Sequence, residues 1–379
     1  MKILITGGAG FIGSNLAIEL VKRGHEIRVL DILLEKVHGP NPSLTSPTYK
    51  SLLRYPIEII IGSILDKDSL RSAVLDVEAI YHLASETGTG ESMYRSALYS
   101  SVNVVGTALL LDVLREKKSK VKKLILSSSR SVYGEGSYQC SLHGIVTPPS
   151  RLESRLSKGD FGCYCPICDS EVDLIATKEN APFSSGSFYA LTKQIQEDTM
   201  RIVAGSLEIP YVILRLQNVY GPGQSLNNPY TGILSIFSTL MRNSSDINIF
   251  EDGNESRDFV FITDVVKAFI SALSTEDVAN TTFNVGSGQP TSVLTIANYL
   301  KQAYSSNSKI EISGNFRLGD IRHNFSDLSN ASKYLKYSPE VSIEEGIKLF
   351  AEWVLTQESS SSDDYYNSLE ELSDLGLLK

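Results

Sequence analysis

Short apolar runs alternate with amphipathic stretches along most of the chain. Residues 2–6 are rich in Ile and Leu and end at a glycine pair, whereas residues 14–20 place apolar side chains at helical spacing. Further apolar runs of strand length lie at residues 26–30, 57–61, 79–84, 123–126 and 211–216, and helical patterns begin at residues 66, 102 and 188. Strands that alternate with helices predict an α/β fold built on a doubly wound parallel sheet (a Rossmann fold), with a smaller lobe interleaved toward the C-terminus.

Three glycines follow the first apolar run, where dinucleotide-binding proteins have a phosphate-binding turn. Gly7, Gly10 and Gly13 allow a tight turn, a close approach of a pyrophosphate to backbone N–H groups, and close packing of helix on strand. Asp31 ends the second predicted strand, 24 residues after Gly7, where such folds place the carboxylate that accepts the ribose hydroxyls. A carboxylate there would repel a 2′-phosphate, so the pattern favours NAD over NADP.

A tyrosine and a lysine share one face of a predicted helix. Tyr189 and Lys193 are four residues apart, so their side chains can approach each other. A free tyrosine titrates near ~10 and is a poor base at neutral pH, but a neighbouring ammonium and a nicotinamide cation favour the phenolate. We therefore expect a lowered pKa for Tyr189 and a role as proton acceptor. Ser127 and Ser129 end a predicted strand, and ligands of doubly wound sheets collect at that edge.

The composition excludes some classes of function. The chain has 379 residues, a hydrophobic fraction of 42% and a formal net charge of -9, which argues against a nucleic-acid-binding protein. The N-terminus lacks the apolar core and cleavage site of a secretory signal, and no apolar run reaches the roughly eighteen residues that span a bilayer. We expect a cytoplasmic enzyme with neither nucleic-acid nor membrane partners.

Several short motifs occur together in an order that is typical of one enzyme family. The motifs are Gly7-x-x-Gly10-x-x-Gly13, His82-Leu83-Ala84, Asn103-x-x-Gly106-Thr107, Ser127-Ser128-Ser129-x-x-Val132-Tyr133-Gly134, Tyr189-x-x-x-Lys193, residues 214–223, Arg257-Asp258-Phe259-Val260 and Phe283-Asn284-Val285-Gly286. With these motifs the chain resembles the extended short-chain dehydrogenase/reductases, the NAD-dependent sugar-nucleotide epimerase/dehydratase family, over roughly residues 1–355.

The resemblance implies a role for each matching residue. Ser129 would hydrogen-bond the C4 oxygen of the sugar, Tyr189 would accept the proton, and Lys193 would bind the nicotinamide ribose. The implied NAD site consists of Gly7, Gly10, Phe11, Ile12, Gly13, Asp31, Ser63, Ile64, Leu83, Ala84, Asn103, Ser127, Tyr189, Lys193 and Gln217. The implied nucleotide-sugar site consists of Thr87, Thr89, Ser129, Asn218, Arg257 and Arg322. Ser63-Ile64 stands where the family usually has an aspartate that contacts the adenine, so this contact stays open.

The residues before Val132 favour epimerisation over dehydration. Dehydratases of this family resemble one another in carrying an acid pair in the two preceding positions, which here hold Arg130 and Ser131. Neither residue is a general acid at neutral pH. We expect C4 epimerisation through a transient 4-keto intermediate. A ketosugar reductase that consumes NAD(P)H is the alternative, and a non-catalytic nucleotide-sugar-binding regulator is disfavoured because Ser129, Tyr189 and Lys193 are all present.

Two further segments are similar to a subgroup of the family. Residues 82–94 and 317–323 resemble the dTDP-L-rhamnose 4-epimerases, which interconvert that sugar nucleotide with dTDP-6-deoxy-L-talose. The resemblance implies that Arg322 binds the pyrophosphate, for which the bidentate guanidinium fork is suited. Uridine-linked hexoses remain alternative substrates.

An insertion between the serines and the tyrosine contains every cysteine of the chain. Cys140 and His143 form a C-x-x-H pair, and Cys165 and Cys168 form a C-x-x-C pair. Two such chelating pairs supply the four ligands that a structural zinc ion prefers. Three alternatives stay open: free thiols, a disulfide between Cys165 and Cys168, which a reducing cytosol disfavours, and a set completed by Cys163 in place of His143.

The motifs also divide the chain. We expect an NAD-binding domain at residues 1–216 with the cysteine-rich insertion at 136–180, a substrate-binding lobe at 217–257 and 287–356, and a return to the first domain at 258–286. The resemblance implies a homodimer formed through helices near residues 100–115 and 187–203.

The end of the chain has a different character. Residues 357–379 begin as an acidic, serine-rich linker and end in leucines three apart, a spacing that predicts a short amphipathic helix. This helix could dock on its own subunit, dock on a neighbouring subunit, or stay loose.

Overall fold

Seven parallel strands form the central sheet of the protein. The computed structural model describes residues 1–116, 120–226, 232–358 and 361–379. The strands are β1 Lys2–Thr6, β2 Glu26–Asp31, β3 Ile57–Ile61, β4 Ala79–His82, β5 Lys123–Ser129, β6 Tyr211–Leu216 and β7 Thr281–Val285. Their spatial order is β7-β6-β5-β4-β1-β2-β3, so the direction of winding reverses between β1 and β4. The predicted doubly wound sheet is confirmed.

Helices cover both faces of this sheet and build the smaller lobe. The longer helices are α1 Phe11–Lys22, α2 Lys67–Ala73, α3 Gly106–Glu116, α4 Phe188–Thr199, α5 Ile233–Arg242, α6 Ile262–Ser274, α7 Val293–Ala303, α8 Ser329–Leu335, α9 Ile343–Leu355 and α10 Asp363–Asp374. Short helices lie at Glu35–His38, Pro42–Thr45, Pro47–Leu52, Thr89–Ser92, Ser96–Tyr99 and Glu153–Leu156, with π-helical turns at Ser100–Val105 and Met200–Ala204 and 3-10 turns at Arg130–Tyr133 and Glu276–Val278.

The alternation of side chains along the strands gives the sheet a separate core on each face. Ile3 and Ile5 in β1 pack into a core shared with α1 and α6, whereas Leu4 between them packs into a second core with α2 and α3. All three side chains are fully buried. Because both faces are covered, the strands are apolar throughout, as parallel sheets require.

One stretch of helix is apolar enough to cross a membrane by length and composition. Among the described residues this stretch is Ser96–Glu116. Its most apolar 18 residues have a mean hydropathy of 1.6, and 44% of them are buried inside the protein. Leu110, Leu111 and Leu114 of α3 belong to the second core. A buried core helix accounts for the apolar composition.

The smaller lobe is interleaved with the large sheet. After β6, the strand Asn218–Tyr220 pairs with Ser256–Phe261, which also pairs with Pro290–Ser292 and with His323–Asn324. The chain re-enters the large domain through α6 and β7 and leaves again to form α7 and α9. A second pair of strands, Ile247–Ile249 and Ile310–Ile312, lies beside α5 and α7 in this lobe. Residues 227–231 of the predicted lobe and 359–360 of the predicted linker lie outside the described ranges.

The cysteine-rich insertion folds as a small sheet of its own. Strand Tyr138–Cys140 pairs with Gly144–Val146 on one side and with Asp173–Leu174 on the other. A separate apolar contact, formed by Leu156, Phe161 and Phe316, joins the insertion to the smaller lobe. The insertion, which lies between Ser129 and Tyr189 in sequence, is therefore packed against the smaller lobe.

Candidate active site

A cavity of about 1180 Å³ opens at the carboxyl ends of the parallel strands. We call it the main cavity. A smaller space of about 200 Å³ adjoins it, and we call this the side chamber. Thr89, Asn218, Ile233 and Phe259 line both spaces, so the two are continuous. The predicted site residues that line the main cavity are Gly7, Gly10, Phe11, Ile12, Gly13, Asp31, Ser63, Ile64, Leu83, Ala84, Thr87, Thr89, Ser127, Ser129, Tyr189, Lys193, Gln217 and Asn218.

The glycine turn between β1 and α1 forms one end of the main cavity. Gly7 has a φ of 68°, which favours glycine. A side-chain carbon at Gly13 would lie 2.4 Å from the carbonyl oxygen of Gly7, so only glycine allows the helix to pack this closely on the turn. The first backbone N–H groups of α1 have no partner within the helix, and this geometry presents them to a ligand in the cavity.

The carboxylate of Asp31 is fixed at the end of β2. Its two oxygens accept hydrogen bonds from the backbone N–H groups of Ala9 and Leu33, each at 2.9 Å. Asp31 is buried yet lines the main cavity. The hydrogen bond from Ala9 holds the glycine turn and the carboxylate together at the end of the sheet.

Tyr189 and Lys193 extend from α4 toward the end of β5. Ser187 caps the helix by accepting the N–H of Ala190 at 3.2 Å, which places Tyr189 in the first turn. The Lys193 ammonium donates to the carbonyl oxygen of Ser127 at 3.0 Å and lies 5.9 Å from the centre of the Tyr189 ring. The Ser129 hydroxyl and Tyr189 line the same cavity, and the Ser129 hydroxyl opposes the rise that burial causes in the pKa of Tyr189. The structure therefore brings together the three residues predicted to be catalytic.

The electrostatics of this group differ from the expectation. Burial raises the pKa of Tyr189, and the groups that oppose this rise are the Ser129 hydroxyl and the Arg130 guanidinium. Burial also lowers the pKa of Lys193 to about 7, which weakens its positive charge. The predicted lowering of the tyrosine pKa by Lys193 is therefore not produced by the protein groups. Arg130, whose pKa burial lowers to about 9, is the cation that acts on Tyr189.

A buried ion pair supports the strand that carries the serines. The Arg215 guanidinium forms two hydrogen bonds with the Glu197 carboxylate, at 2.9 and 2.8 Å. Glu197 also accepts a hydrogen bond from Ser128 at 2.5 Å and one from Arg201. Glu197 lies one helical turn after Lys193 on α4, so the pair ties this helix to β5 and β6 behind the catalytic residues.

The side chamber contains two arginines. Arg257 lines the chamber and donates to the backbone carbonyl oxygens of Ile321 and Arg322, at 2.7 and 3.0 Å. Arg317 stacks over the ring of Phe250, 4.6 Å from its centre, and its buried Nε has no hydrogen-bond partner within the described structure. The carboxylates of Glu251, Glu255 and Asp320 line the same chamber, so its charges are mixed, and the two arginines are the cations that could bind an anionic group of a ligand.

Two predicted site residues lie outside both spaces. The Arg322 guanidinium is held by Asp252 at 2.6 and 2.7 Å and by Glu251 at 3.1 Å, and these carboxylates occupy the fork expected to bind pyrophosphate. Asn103 is fully buried and bonds both the N–H and the carbonyl oxygen of Glu86, at 2.8 and 3.1 Å. Asn103 therefore fixes the loop that follows β4 and does not face the cavity.

The insertion brings the four predicted metal ligands together. The ligand atoms of Cys140, His143, Cys165 and Cys168 lie within 4.8 Å of one another. The Cys140 sulfur is 3.6 Å from His143 Nδ1 and 3.7 Å from the Cys168 sulfur, and Cys165 is 3.6 Å from His143 Nδ1. Metal–sulfur bonds of about 2.3 Å in a tetrahedron give edges of about 3.8 Å, close to these distances. All the cysteines are free, so the alternative disulfide is not present.

The two chelating pairs share one backbone geometry. The Cys140 sulfur accepts backbone N–H groups two and three residues later, and the Cys165 sulfur does the same. Each pair is followed by a residue in the left-handed region, Gly144 with φ of 72° and Asp169 with φ of 60°. Cys163 lies outside the cluster, 3.3 Å from the Tyr138 hydroxyl.

The matches to known proteins agree with this geometry. The model of the NAD dependent epimerase/dehydratase family matches residues 3–150 and 166–286. The chain belongs to the NAD dependent epimerase/dehydratase family. Residues 151–165 inside the cysteine-rich insertion are not matched by the family model, whereas the flanking parts of the insertion are. The family membership predicted from the sequence motifs is confirmed, and the protein is an enzyme of this family.

Relatives within the family act on different nucleotide sugars. The dTDP-L-rhamnose 4-epimerase of Burkholderia thailandensis is 38% identical over 93% of this chain and 94% of its own length. The UDP-N-acetyl-alpha-D-glucosaminuronate decarboxylase of Bacillus cytotoxicus is 31% identical over 93% of this chain and 97% of its own. The crystal structure of the UDP-glucuronic acid 4-epimerase of Bacillus cereus with UDP-glucuronic acid and NAD has a TM-score of 0.76 at 26% identity, covering 94% of this chain and 99% of that one.

Several residues that line the two spaces are not predicted by the sequence motifs. The sequence motifs identify Arg130 only as a residue that cannot act as a general acid. In the structure it lines the main cavity beside Ser129. Arg317 lies five residues before Arg322, and the sequence offered no signal that separates the two arginines. Residues of the C-terminal tail that line the side chamber are Tyr365, Ser368, Leu372 and Leu377.

Proposed function

We propose that this enzyme is an NAD-dependent 4-epimerase of a nucleotide-linked 6-deoxyhexose, interconverting dTDP-L-rhamnose and dTDP-6-deoxy-L-talose. The observation that carries the proposal is the placement of Ser129, Tyr189 and Lys193 on one wall of the main cavity, next to a side chamber that holds two arginines. The 38% identity to the Burkholderia thailandensis enzyme over nearly the whole chain supports the choice of substrate.

The residues of the main cavity fit NAD. The glycine turn offers backbone N–H groups to a pyrophosphate, and Asp31 offers a carboxylate to ribose hydroxyls while repelling a 2′-phosphate. Both amide atoms of Gln217 are buried at the cavity without a hydrogen-bond partner, so this side chain is free to bind a carboxamide. NAD held by these residues would supply the hydride acceptor and donor of the reaction.

Tyr189 moves the proton of the reaction. As the C4 carbon of the sugar loses its hydride, the Tyr189 phenolate takes the proton of the C4 hydroxyl, and a 4-keto sugar forms. The Ser129 hydroxyl and Arg130 stabilise the phenolate against its burial. Return of the hydride to the opposite face of C4 and of the proton from Tyr189 to the C4 oxygen completes the inversion, so the cycle has no net oxidation or reduction.

The side chamber suits the nucleotide end of the substrate. Asn218 lines both spaces, whereas Arg257 and Arg317 line only the side chamber. We assign the diphosphate to Arg257 and Arg317 in place of Arg322, because the charge of Arg322 is already satisfied by two carboxylates. The free Nε of Arg317 gives this arginine an unused donor.

A panel of nucleotide sugars tests the proposed reaction. The enzyme as purified is incubated without added cofactor with dTDP-L-rhamnose, dTDP-glucose, UDP-glucose and UDP-glucuronic acid, and inversion at C4 is followed by NMR. We expect dTDP-L-rhamnose to be converted to an equilibrium mixture with dTDP-6-deoxy-L-talose, with kcat/KM at least about tenfold above that of the other sugars. In a parallel assay with a dTDP-4-keto-6-deoxyhexose and added NAD(P)H, strict consumption of one NAD(P)H per turnover without any cofactor-free inversion would show a reductase instead. Faster inversion of a UDP-sugar would refute the assigned substrate.

We also propose that Cys140, His143, Cys165 and Cys168 bind a structural zinc ion. The near-tetrahedral distances and the two matching backbone turns support a closed site with no open position for a substrate. The cytoplasm, where we place the enzyme, would keep these thiols reduced and available. Zinc would stabilise an insertion whose own apolar core contains few side chains.

Metal analysis tests the zinc site. Protein purified without chelator is expected to contain about one zinc per chain, and Cys168→Ser is expected to lose it. Cys163→Ser is the matched control, because Cys163 belongs to the same insertion but lies outside the cluster. Zinc-free wild-type protein would refute the site. Loss of zinc in Cys163→Ser with retention in His143→Ala would assign the fourth ligand to Cys163 in place of His143.

A homodimer through the predicted helices is also proposed. Val105, Leu191 and Ile202 lie on the helical segments near residues 100–115 and 187–203 and are 48%, 39% and 72% exposed. Large apolar side chains exposed on neighbouring helices support a contact with a second copy of the chain.

A further inference from the structure

The C-terminal tail covers the side chamber. Its helix α10, Asp363–Asp374, contributes Tyr365, Ser368 and Leu372 to the lining, and Leu377 follows from the residues after the helix. Leu372 is 5% exposed and Ser368 is 4% exposed, although most other residues of α10 face solvent. Of the three placements open from the sequence, the structure has the tail docked on its own chain.

A glycine turn ends α10 and directs the chain back toward the chamber. Gly376 has a φ of 67°, and its N–H donates to the carbonyl oxygen of Ser373 at 2.9 Å. The N–H of Leu377 donates to the carbonyl oxygen of Leu372 at 2.8 Å. This is the pair of hydrogen bonds of a Schellman motif, which brings the side chains at the positions of Leu372 and Leu377 together. The motif thus forms the apolar edge of the tail that lines the chamber.

The residues after this turn pair with the segment that carries Arg317. Phe316 and Lys379 exchange two backbone hydrogen bonds, at 2.8 and 3.0 Å, and the N–H of Leu318 donates to the carbonyl oxygen of Leu377 at 2.9 Å. The tail therefore fixes the backbone on both sides of Arg317. Because the tail holds the residues on both sides of Arg317, the position of this arginine depends on the tail. Its buried Nε has no hydrogen-bond partner in the described structure.

The C-terminal end of α10 also contacts the segment that follows β4. The Leu372 methyl carbons lie against Gly90, 3.6 and 3.9 Å from where a side-chain carbon would be. The Tyr94 hydroxyl donates to the Glu371 carboxylate at 2.9 Å. Thr89, next to Gly90, lines both the chamber and the main cavity. The tail consequently bridges the chamber from the Thr89 loop to Arg317.

We propose that residues 363–379 form a wall of the nucleotide-sugar site, and that Leu372 contacts the bound nucleotide sugar as a specificity-determining residue. The proposal rests on the proposed function for the identity of the ligand. It assigns residues 363–379 a part in substrate binding only, because none of these described residues lines the main cavity, where the glycine turn and Tyr189 lie. Arg257 and Arg317 supply charge for the diphosphate, and the tail supplies an apolar surface for an uncharged part of the ligand.

Two variants of the full chain test this wall. Leu372→Ala removes the apolar contact, and Gly376→Val places a β-branched residue at a positive φ and so disrupts the turn without itself lining the chamber. Leu375→Ala is the matched control, because Leu375 follows the same helix but is 50% exposed and does not line the chamber. We expect about a tenfold rise in KM for dTDP-L-rhamnose and in Kd for dTDP by calorimetry in the first two variants, with kcat, bound NAD and Tm nearly unchanged.

The outcomes separate this inference from the proposed function. Unchanged KM and Kd in both variants would refute the wall, because the tail would then make no contact with the ligand. Tighter binding in either variant would also refute it, because the intact tail would then obstruct the chamber. Wild-type protein that binds dTDP but does not invert C4 would refute the proposed reaction while the binding test of the wall still holds. Wild-type protein that inverts C4, with both variants indistinguishable from Leu375→Ala, would refute the wall alone.

Discussion

Replacement of Tyr189 by phenylalanine is expected to lower kcat for C4 epimerisation by about a thousandfold, with little change in KM or in bound NAD. The variant removes only the oxygen that accepts the proton, and the ring keeps its edge-to-face contact with Tyr99, 6.4 Å between centres. Lys193 keeps its hydrogen bond to the Ser127 carbonyl, so the cavity wall is preserved. Initial rates at saturating dTDP-L-rhamnose measure the effect.

Tyr299→Phe is the matched control for this experiment. It removes the same atom from α7, where the hydroxyl donates to Glu344 at 2.7 Å on the outside of the smaller lobe. Its kcat should equal that of the wild type. If Tyr189→Phe retained even a tenth of the wild-type rate, the proton would be carried by another group, and Ser129 would be the first to examine.

Replacement of Arg215 by methionine is expected to lower the free energy of unfolding by about 3–5 kcal/mol. Arg215 and Glu197 are 3% and 0% exposed, and loss of the guanidinium leaves a carboxylate buried without its bidentate partner. The Glu197 carboxylate also bonds Ser128, so the damage reaches the strand that carries Ser127 and Ser129. Urea unfolding followed by circular dichroism measures the change.

Arg201→Met is the control, because Arg201 binds the same carboxylate from a side chain that is 31% exposed. Partly exposed ion pairs contribute about 1 kcal/mol or less, so this variant should remain close to the wild type. Equal losses for Arg201→Met and Arg215→Met would contradict the role assigned to burial. A double variant, Arg215→Met with Glu197→Leu, should recover part of the stability because no charge is then left buried.

The local motifs predicted the fold, and most of the cofactor and substrate residues that they predicted line the main cavity. The run from β1 through the glycine turn to α1 is contiguous, and Asp31 follows at a fixed distance, so sequence spacing alone determines where these groups meet. Tyr189 and Lys193 are likewise one helical turn apart. These predictions depend on short-range geometry, which sequence patterns describe well.

The remaining parts of the site depend on contacts between distant segments. Arg317 and Arg322 look alike in the sequence, and only the packing of Glu251 and Asp252 against the second one separates them. The pKa of Tyr189 depends on burial and on Arg130, neither of which follows from the helical spacing. The tail reaches the chamber through backbone pairing with Phe316 and Leu318, for which an amphipathic leucine pattern carries no information.

The long excursion between Ser129 and Tyr189 has a consequence for folding. The two residues are separated by 60 positions and must close a loop of that length, at an entropic cost of about 3.6 kcal/mol. A metal ion bound by both Cys140 and Cys168 would link these residues and shorten the loop that must be closed by about half. This lowers the entropic cost by only about 0.6 kcal/mol. The meeting of serine and tyrosine must therefore be driven by the docking of α4 on the sheet. The metal cluster therefore has little influence on whether the insertion or the pair of Ser129 and Tyr189 forms first during folding.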